Sequence, residues 1–283
     1  MHLNDGSIIE YHYSAPKNNQ PVICLLYGLV CNNRHWEYQI DYFLNEGFGL
    51  LIHNYRHHFG STSSLKLKEL NFEMMANDLK LLFDQLEIDS AHFIGHSMGV
   101  NVCLEFYLNY PEVVSSLSLI AGSPFRPQDT MFNTNFSDYI LETLNRLQSI
   151  SPRVSNLIWK NLYRPKIFRK LVLDGGFNPD FVEDEFVLYY MKKIAELGPE
   201  LFFHLLKLMK YHNLAANLHH VKTPTLVLGG DKDMIAPITG QIVFHESIKD
   251  SEFYLIKDGS HVPQVDFPDS VNNRLHHFIE SNL

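Results

Sequence analysis

Cysteine is scarce in this sequence, and long apolar runs are absent. Only Cys24, Cys31 and Cys103 occur among the 283 residues, at irregular spacing, so we expect buried free thiols in a reducing compartment rather than a disulfide framework. No stretch reaches about 18 uncharged apolar residues, so no membrane-spanning helix is predicted. The first residues, MHLNDGSIIEYHY, lack a basic region followed by an apolar run, which argues against a signal peptide. We therefore expect a cytoplasmic protein.

Runs of Lys and Arg are also missing, and the formal net charge is −9 with neutral histidines. Nucleic acids and other polyphosphates bind to clustered cations, so such partners are not expected. The composition, 45% hydrophobic and 19% charged, is that of a soluble globular protein. The length suits one large domain or a core with an inserted piece, and the chain is expected to be a monomer or a homodimer.

Metal ligands do not form a recognisable set. Histidines occur as three adjacent pairs, His57-His58, His219-His220 and His276-His277. Adjacent side chains on a helix or strand point in different directions, and no Cys or carboxylate cluster completes a site. We therefore expect no metal and no organic cofactor.

The first half of the chain alternates short apolar runs with amphipathic segments. Strands are predicted at 7–13, 21–28, 49–55, 91–95 and 114–122. Helices are predicted at 35–47, 71–88 and 100–110. This alternation is typical of an α/β protein with a mostly parallel central sheet flanked by helices.

The middle of the chain departs from this pattern. From Ser123 to Val221 no convincing strand occurs, and helical segments such as 136–147 and 201–212 take over. Strands resume at 223–230 and 251–259. We therefore predict a core of residues 1–122 and 222–283, interrupted by a helical cap, or lid, at 123–221.

The stretch FIGHSMG at 93–99 places Ser97 between Gly95 and Gly99. A G-x-S-x-G pattern alone is a weak signal, but here it falls where a predicted strand meets a predicted helix. Such a turn holds a nucleophilic serine in a strained conformation with its hydroxyl exposed, and the glycines leave room for the tight turn. The helix N-terminus also offers unpaired N–H groups to a developing oxyanion.

A serine nucleophile needs a base and a group that orients the base. His261 lies in a turn directly after the last predicted strand, at the sheet edge that also carries Ser97. Asp231 and Asp233 follow the strand at 223–230, which gives the chain order Ser, Asp, His. Asp129, beyond the strand at 114–122, is a further candidate acid.

These residues resemble those of the α/β-hydrolase superfamily in its capped, esterase-like form. GHSMG is similar to the family's nucleophile elbow, GDKDMIAP to its acid loop and GSHVPQVDFP to its histidine loop. In the acid loop the catalytic acid stands four residues before the proline, so the resemblance implies Asp233, ahead of Pro237, rather than Asp231. It covers residues 3–122 and 222–281 and implies the α/β-hydrolase fold.

The resemblance also implies an oxyanion hole formed by the backbone N–H groups of Leu29 and Met98. Relatives have a His-Gly pair before the first donor, whereas this chain has Tyr27-Gly28. We expect Tyr27, Gly28 and Val262 to contact the substrate.

One further loop differs from that of relatives, and two further side chains lie near these motifs. The loop NYRHHFGSTSS at 54–64 is bulkier than the small turn usual in relatives, and it is expected to reshape the pocket rim. His96 is expected to support the turn, and Cys31 to line the pocket without acting as a second nucleophile.

The sequence thus predicts a serine hydrolase that cleaves an ester or thioester of a hydrophobic acyl group through an acyl-enzyme on Ser97. One alternative is carbon–carbon bond hydrolysis or lyase chemistry by the same triad. The other is a small-molecule-binding protein that keeps the fold without catalysis.

Overall fold

A seven-stranded sheet forms the centre of the molecule. The computed structural model describes residues 1–124, 135–212 and 215–283. The strands are β1 (Tyr11–Ser14), β2 (Val22–Leu26), β3 (Gly49–His53), β4 (Ala91–His96), β5 (Val114–Ile120), β6 (Thr225–Gly230) and β7 (Glu252–Ile256). Their order is β1-β3-β2-β4-β5-β6-β7, and only β1 is antiparallel to its neighbour. The predicted fold class is therefore confirmed.

Helices cover both faces of this sheet, as expected for buried parallel strands. Those of the core are α1 (Glu37–Asn45), α2 (Phe72–Gln85), α3 (Met98–Asn109), α9 (Ile238–Ser247), α10 (Pro263–Asp266) and α11 (Pro268–Glu280). Asn71 begins α2, because its side chain accepts a hydrogen bond from the Met74 N–H at 2.7 Å. Every residue of β2, β3, β4 and β6 is buried, which explains their dense apolar sequences.

A helical segment connects β5 to β6. It contains α4 (Asn135–Ile150), α5 (Pro152–Trp159), α6 (Lys166–Gly176), α7 (Asp184–Leu197) and α8 (Pro199–Tyr211). Within its described residues the segment has no strand, in agreement with the sequence pattern. Asp129, the further candidate acid, lies outside the described residues. None of the helices in the described ranges combines the length and hydropathy needed to cross a bilayer.

The first strand is shorter than its alternating sequence predicts. Within the predicted strand at 7–13, Ile8 forms only isolated bridges, with His2 and with Thr62, and pairing with β3 starts at Tyr11. The Glu10 N–H donates to the Ser61 side chain at 2.9 Å instead of to a neighbouring strand. The side-chain alternation therefore extends beyond the part of the backbone that pairs in the sheet.

Candidate active site

Ser97 occupies the turn between β4 and α3. Its backbone has φ 54° and ψ −119°, a left-handed conformation that a side chain adopts only at a cost of about 1–3 kcal/mol. The Ser97 N–H donates to the Ile120 carbonyl of β5 at 2.9 Å, which fixes the turn against the sheet. The serine is partly accessible, whereas the residues on either side of it are buried.

The glycines beside Ser97 are required by close packing. A Cβ at Gly95 would lie 2.6 Å from the Cys103 sulfur, and one at Gly99 would overlap the Leu26 carbonyl oxygen of β2. Each of these two approaches is closer than any ordinary Cβ contact. The sheet and the helix can therefore approach this turn only when these two positions lack side chains.

Ser97, His261 and Asp233 form one hydrogen-bonded chain. The Ser97 hydroxyl lies 2.9 Å from His261 Nε2. On the other side of the ring, His261 Nδ1 lies 2.9 Å and 3.1 Å from the two carboxylate oxygens of Asp233. With the Nδ1–H donating to Asp233, Nε2 is free to accept the serine proton. The structure thus brings together three residues that are far apart in the sequence.

Asp233 is held in place by its own loop. One carboxylate oxygen accepts hydrogen bonds from the N–H groups of Ile235 and Ala236, both at 2.8 Å. Asp233 is buried, whereas Asp231 is exposed. Among the described aspartates of this loop, Asp233 is therefore the one that reaches the histidine.

A second carboxylate, Asp266, supports the histidine loop. Its side chain accepts a hydrogen bond from the Ser260 N–H at 2.7 Å. Burial raises the pKa of Asp266 to about 6, and the hydrogen bonds from Ser260 oppose this shift. The Ser260 hydroxyl in turn donates to the Gly176 carbonyl of α6 at 3.2 Å. The residue before His261 is thus bonded both to the core and to the helical segment.

His96 supports the same loop from the side of the elbow. Its Nε2–H donates to the main-chain carbonyl of His261 at 2.8 Å, and the two rings lie 5.1 Å apart. Burial and the nearby His261 hold the pKa of His96 well below its usual value. A neutral His96 is therefore a fixed hydrogen-bond donor, consistent with the expected supporting role.

Gly28 brings the loop after β2 against the serine. A Cβ at Gly28 would lie 2.9 Å from the Ser97 Cβ and 3.1 Å from His96 Nδ1. Leu29 is the next residue. It lies in a turn that is closed by a hydrogen bond of 3.1 Å from the Cys31 N–H to the Gly28 carbonyl. Met98 is the first residue of α3, so its N–H has no carbonyl one turn earlier in that helix. Both expected oxyanion donors therefore belong to backbone adjacent to Ser97.

Tyr27 is fully buried, and its side chain points away from this turn towards the end of β3. Its hydroxyl donates to the Asn54 side chain at 2.9 Å and accepts from the Tyr55 N–H at 3.3 Å. The Tyr55 hydroxyl donates back to the Tyr27 carbonyl at 3.0 Å. These bonds fasten the loop that contains Gly28. A substrate contact from Tyr27 would have to come from its main chain.

The loop after β3 is fixed by a buried ion pair. Arg56 donates two hydrogen bonds to Asp78 of α2, at 2.6 and 2.7 Å, and a third to Asp5. The Arg56 guanidinium lowers the pKa of Asp5 to about 2. The two following bulky positions, His57 and Phe59, adopt positive φ angles of 64° and 45°. The ion pair therefore anchors this loop to α2.

An aromatic wall connects the loop after β2 to the helical segment. His35 packs edge-on against Phe186 and Tyr190 of α7, with ring centroids 5.5 and 5.0 Å apart. Tyr190 also hydrogen-bonds with the Cys31 thiol, and burial raises the pKa of Cys31 to about 12. Burial lowers the pKa of His35 to about 4, with a smaller contribution from His261. The thiol and the imidazole are therefore neutral at pH 7.

Val262 joins the core to the helical segment directly beside His261. It is buried in a small apolar cluster with Phe177 at the end of α6 and with Phe186 and Met191 of α7. The wall that faces the histidine is therefore apolar and is built mostly by the inserted helices.

A polar cleft of about 290 Å³ adjoins this wall at the outer rim. It lies between the 32–34 turn, the loop after β3 and α7, and its lining includes Arg34, Lys193 and Glu10. Arg34 stacks over the Tyr189 ring at 4.4 Å. Sequence reasoning missed His35, Tyr190 and this cleft, because only tertiary packing brings α7 to the loop after β2.

Side chains able to bind a metal ion do not cluster in the described ranges. Residues 1–124, 135–212 and 215–283 contain no group of three His, Cys, Asp or Glu side chains placed to hold an ion. His219 and His220 stack at 3.9 Å, and His276 accepts or donates a hydrogen bond with the Tyr42 hydroxyl at 2.8 Å.

Comparisons with known proteins agree with this architecture. A family model described as the alpha/beta hydrolase fold matches residues 21–151. The crystal structure of the enol-lactonase from Burkholderia xenovorans LB400 superposes with a TM-score of 0.78 at 18% identity, covering 98% of both chains. The chain has the α/β-hydrolase fold. The fold that the resemblance implies is thus confirmed.

Two further relatives of this α/β-hydrolase-fold protein cover nearly all of it. A 2-hydroxy-6-oxononadienedioate/2-hydroxy-6-oxononatrienedioate hydrolase from Klebsiella pneumoniae is 23% identical over 286 residues, covering 97% of this chain and 92% of that protein. An esterase from Exiguobacterium antarcticum superposes with a TM-score of 0.76 at 18% identity, covering 98% of this chain and 97% of that one. These names support a hydrolase and do not distinguish between the bonds it cleaves.

Proposed function

We propose that the chain is a serine hydrolase that cleaves a carboxylic ester or thioester. The observation that carries this proposal is the hydrogen-bonded chain from Asp233 through His261 to the strained Ser97. A serine hydroxyl is a weak nucleophile, and an oriented imidazole at 2.9 Å supplies the base that it needs.

In the proposed mechanism, Ser97 attacks the substrate carbonyl while His261 Nε2 takes the hydroxyl proton. His261 then gives that proton to the departing alcohol or thiol, and the acyl group remains on Ser97. Water, activated by the same imidazole, releases the acid and regenerates the serine. Asp233 keeps the proton on Nδ1 and stabilises the imidazolium that forms in each half-reaction. These reaction steps require no metal or organic cofactor.

The N–H groups of Leu29 and Met98 are proposed to bind the negative oxygen of each tetrahedral intermediate. Loss of one such donor typically reduces kcat by about 10²–10³-fold. The support is positional, since Gly28 packs against Ser97 and Met98 begins α3. Tyr27 is proposed to act indirectly, by fastening this loop through Asn54 and Tyr55.

The helical segment at 123–221 is proposed to be a cap over this site. Its residues Phe177, Phe186 and Tyr190 pack against His35 and Val262, next to the triad. An apolar wall favours an apolar acyl group, because such a group loses contact with water when it binds there. A hydrophobic acyl substrate is therefore proposed.

A second candidate is hydrolysis of a carbon–carbon bond in a 2-hydroxy-6-oxo-dienoate. It is favoured by the name of the Klebsiella relative, which aligns along 97% of this chain. The two candidates share the triad and differ in the substrate.

A fluorophosphonate probe tests the nucleophile. We expect the wild type to be labelled and Ser97→Ala to remain unlabelled, with Ser149→Ala, an exposed serine on α4, as the matched control. With any substrate that the wild type hydrolyses, Ser97→Ala should reduce kcat by about 10⁶-fold. A folded wild type that is not labelled would contradict the proposal and favour a binding protein.

Substrate comparison separates the two reactions. We expect p-nitrophenyl esters to be cleaved. Their kcat/KM should rise with acyl chain length until the acyl group extends beyond the apolar wall. A higher kcat/KM on a 2-hydroxy-6-oxo-dienoate than on every ester would instead establish the second candidate.

A further inference from the structure

Helix α5 carries its apolar residues on the outside. Val154, Leu157 and Ile158, at helical positions i, i+3 and i+4, form one stripe, and they are 47%, 66% and 41% exposed. The opposite side of the helix faces inward through Ser155 and Trp159, both buried. In a water-facing helix the reverse arrangement is expected, because exposed apolar area is unfavourable.

The orientation of α5 is fixed by contacts on its inner side. The Trp159 indole N–H donates to the Ile194 carbonyl of α7 at 3.0 Å, and its ring packs against Phe202 of α8 at 5.0 Å. Rotating the helix to bury the apolar stripe would break this anchor. The stripe is therefore a stable feature of the surface.

The same part of the chain concentrates positive charge. Between residues 143 and 173 there is no Asp or Glu, and there are seven cations, namely Arg146, Arg153, Lys160, Arg164, Lys166, Arg169 and Lys170. Arg146 and Lys170 pair with Glu142 and Asp174, which lie just outside this range, so the proposed surface depends on the other cations. The other 16 of the 23 Lys and Arg share the rest of the chain with all 32 Asp and Glu. The cations are spaced along the helices and the turn between them, so no basic run is visible in the sequence.

Apolar side chains and cations alternate on this surface. Arg153 and Lys160, at the two ends of α5, are exposed beside the stripe, and Ile167, 75% exposed, stands next to Lys166 at the start of α6. Exposed contiguous apolar residues mark an interaction surface, and the cations define its electrostatic complement. The partner must therefore offer negative charge above an apolar layer.

We propose that this face, defined as α5 and the first turn of α6, binds the surface of a membrane that contains anionic lipids. Lipid phosphates would pair with the cations, while Val154, Leu157 and Ile158 would enter the boundary between headgroups and acyl chains. A nucleic acid would leave the apolar stripe in water. A symmetric dimer through this face would place the same cations opposite one another, which is unfavourable.

The proposal concerns attachment to a surface and is independent of the reaction at Ser97. Attachment to a membrane would place the protein where an apolar substrate is concentrated.

Cosedimentation with vesicles tests the proposal. We expect the protein to bind vesicles of phosphatidylcholine with phosphatidylglycerol, to bind pure phosphatidylcholine vesicles much more weakly, and to be released by salt. Reversing two cations in Arg153→Glu/Lys160→Glu should weaken binding about tenfold or more. The matched control, Lys17→Glu/Lys249→Glu, changes the net charge equally at exposed lysines elsewhere and should bind as the wild type does.

The apolar stripe is tested in the same way. Leu157→Ser/Ile158→Ser should weaken binding about tenfold or more, whereas Leu81→Ser, at a position 48% exposed on α2, should not. Melting temperatures establish that each variant is folded. Absence of binding to anionic vesicles, or binding that neither double variant weakens, would overturn the proposal. So would a lipid-free dimer that Leu157→Ser/Ile158→Ser dissociates, because the face would then join two copies of this chain.

Discussion

At Ser97 the geometry depends on residues that have no side chain. The serine tolerates a φ of 54° because the surrounding strands hold the turn, and the two glycines let those strands approach. Gly28 contributes in the same way by letting the loop after β2 lie against Ser97. The glycines of this site therefore determine the positions of its reactive side chains.

Gly99→Ala tests this dependence. A Cβ would overlap the Leu26 carbonyl oxygen, so we expect the free energy of unfolding to fall by about 1–3 kcal/mol or more, with loss of activity. Urea denaturation measures the change. Gly176→Ala, near the end of α6, is the matched control, because its Cβ would meet only Ile235 at an ordinary 3.6 Å. Equal stability of the two variants would contradict the argument.

At the scale of elements, α8 attaches the helical segment to the core. His212, at its C-terminal end, accepts a hydrogen bond from the Asn101 side chain at 2.9 Å and donates one to Glu105 at 2.9 Å, both on α3. Its ring lies 4.5 Å from that of Phe72. The hydrogen bond from His212 lowers the pKa of Glu105. One histidine thus joins the last inserted helix to two helices of the core.

His212→Ala is therefore expected to loosen this attachment. It leaves Asn101 and Glu105 without their partner, which should cost about 1–3 kcal/mol, the usual range for a hydrogen bond to a charged group. Thermal unfolding measures the loss, and limited proteolysis should cut the helical segment faster than the core. His220→Ala removes an exposed histidine nearby and serves as the control. Unchanged melting and proteolysis would show that the attachment lies elsewhere.

At the scale of the whole molecule, buried histidines make the fold sensitive to acid. Burial lowers the pKa of His35, His58 and His92 to about 4 and that of His53 to about 3. In the unfolded chain each of these groups would titrate near its usual pKa of about 6.5. The unfolded state therefore binds more protons between these values, and stability must fall as the pH falls through this window.

We expect acid unfolding near pH 5. Each such histidine costs about 2 kcal/mol at that pH, so four of them approach the total stability of a typical domain. Asp266, whose pKa is raised to about 6, opposes the effect because its folded form binds a proton first. Circular dichroism against pH measures the midpoint. His53→Leu should move it to lower pH, and His277→Leu, at an exposed position, should not; an unmoved midpoint in His53→Leu would contradict this account.

Sequence reasoning predicted much of the site because its motifs are local. The elbow, the acid loop and the histidine loop each follow a strand, and parallel strands end at one edge of the sheet. The same reasoning could not find His35 or Tyr190, whose role depends on α7 packing against a turn more than 150 positions earlier. It also extended the first strand too far, since side-chain alternation does not reveal which backbone groups pair.

The amino-acid sequence by itself determined the α/β alternation, the helical character of the insertion and the order Ser, Asp, His, because periodicity and turn chemistry act over a few residues. Only the tertiary structure decided that Tyr27 turns towards Asn54 and that α5 exposes its apolar stripe. The physical reason is that burial and hydrogen-bond partners belong to the packed chain and are set by segments distant in sequence.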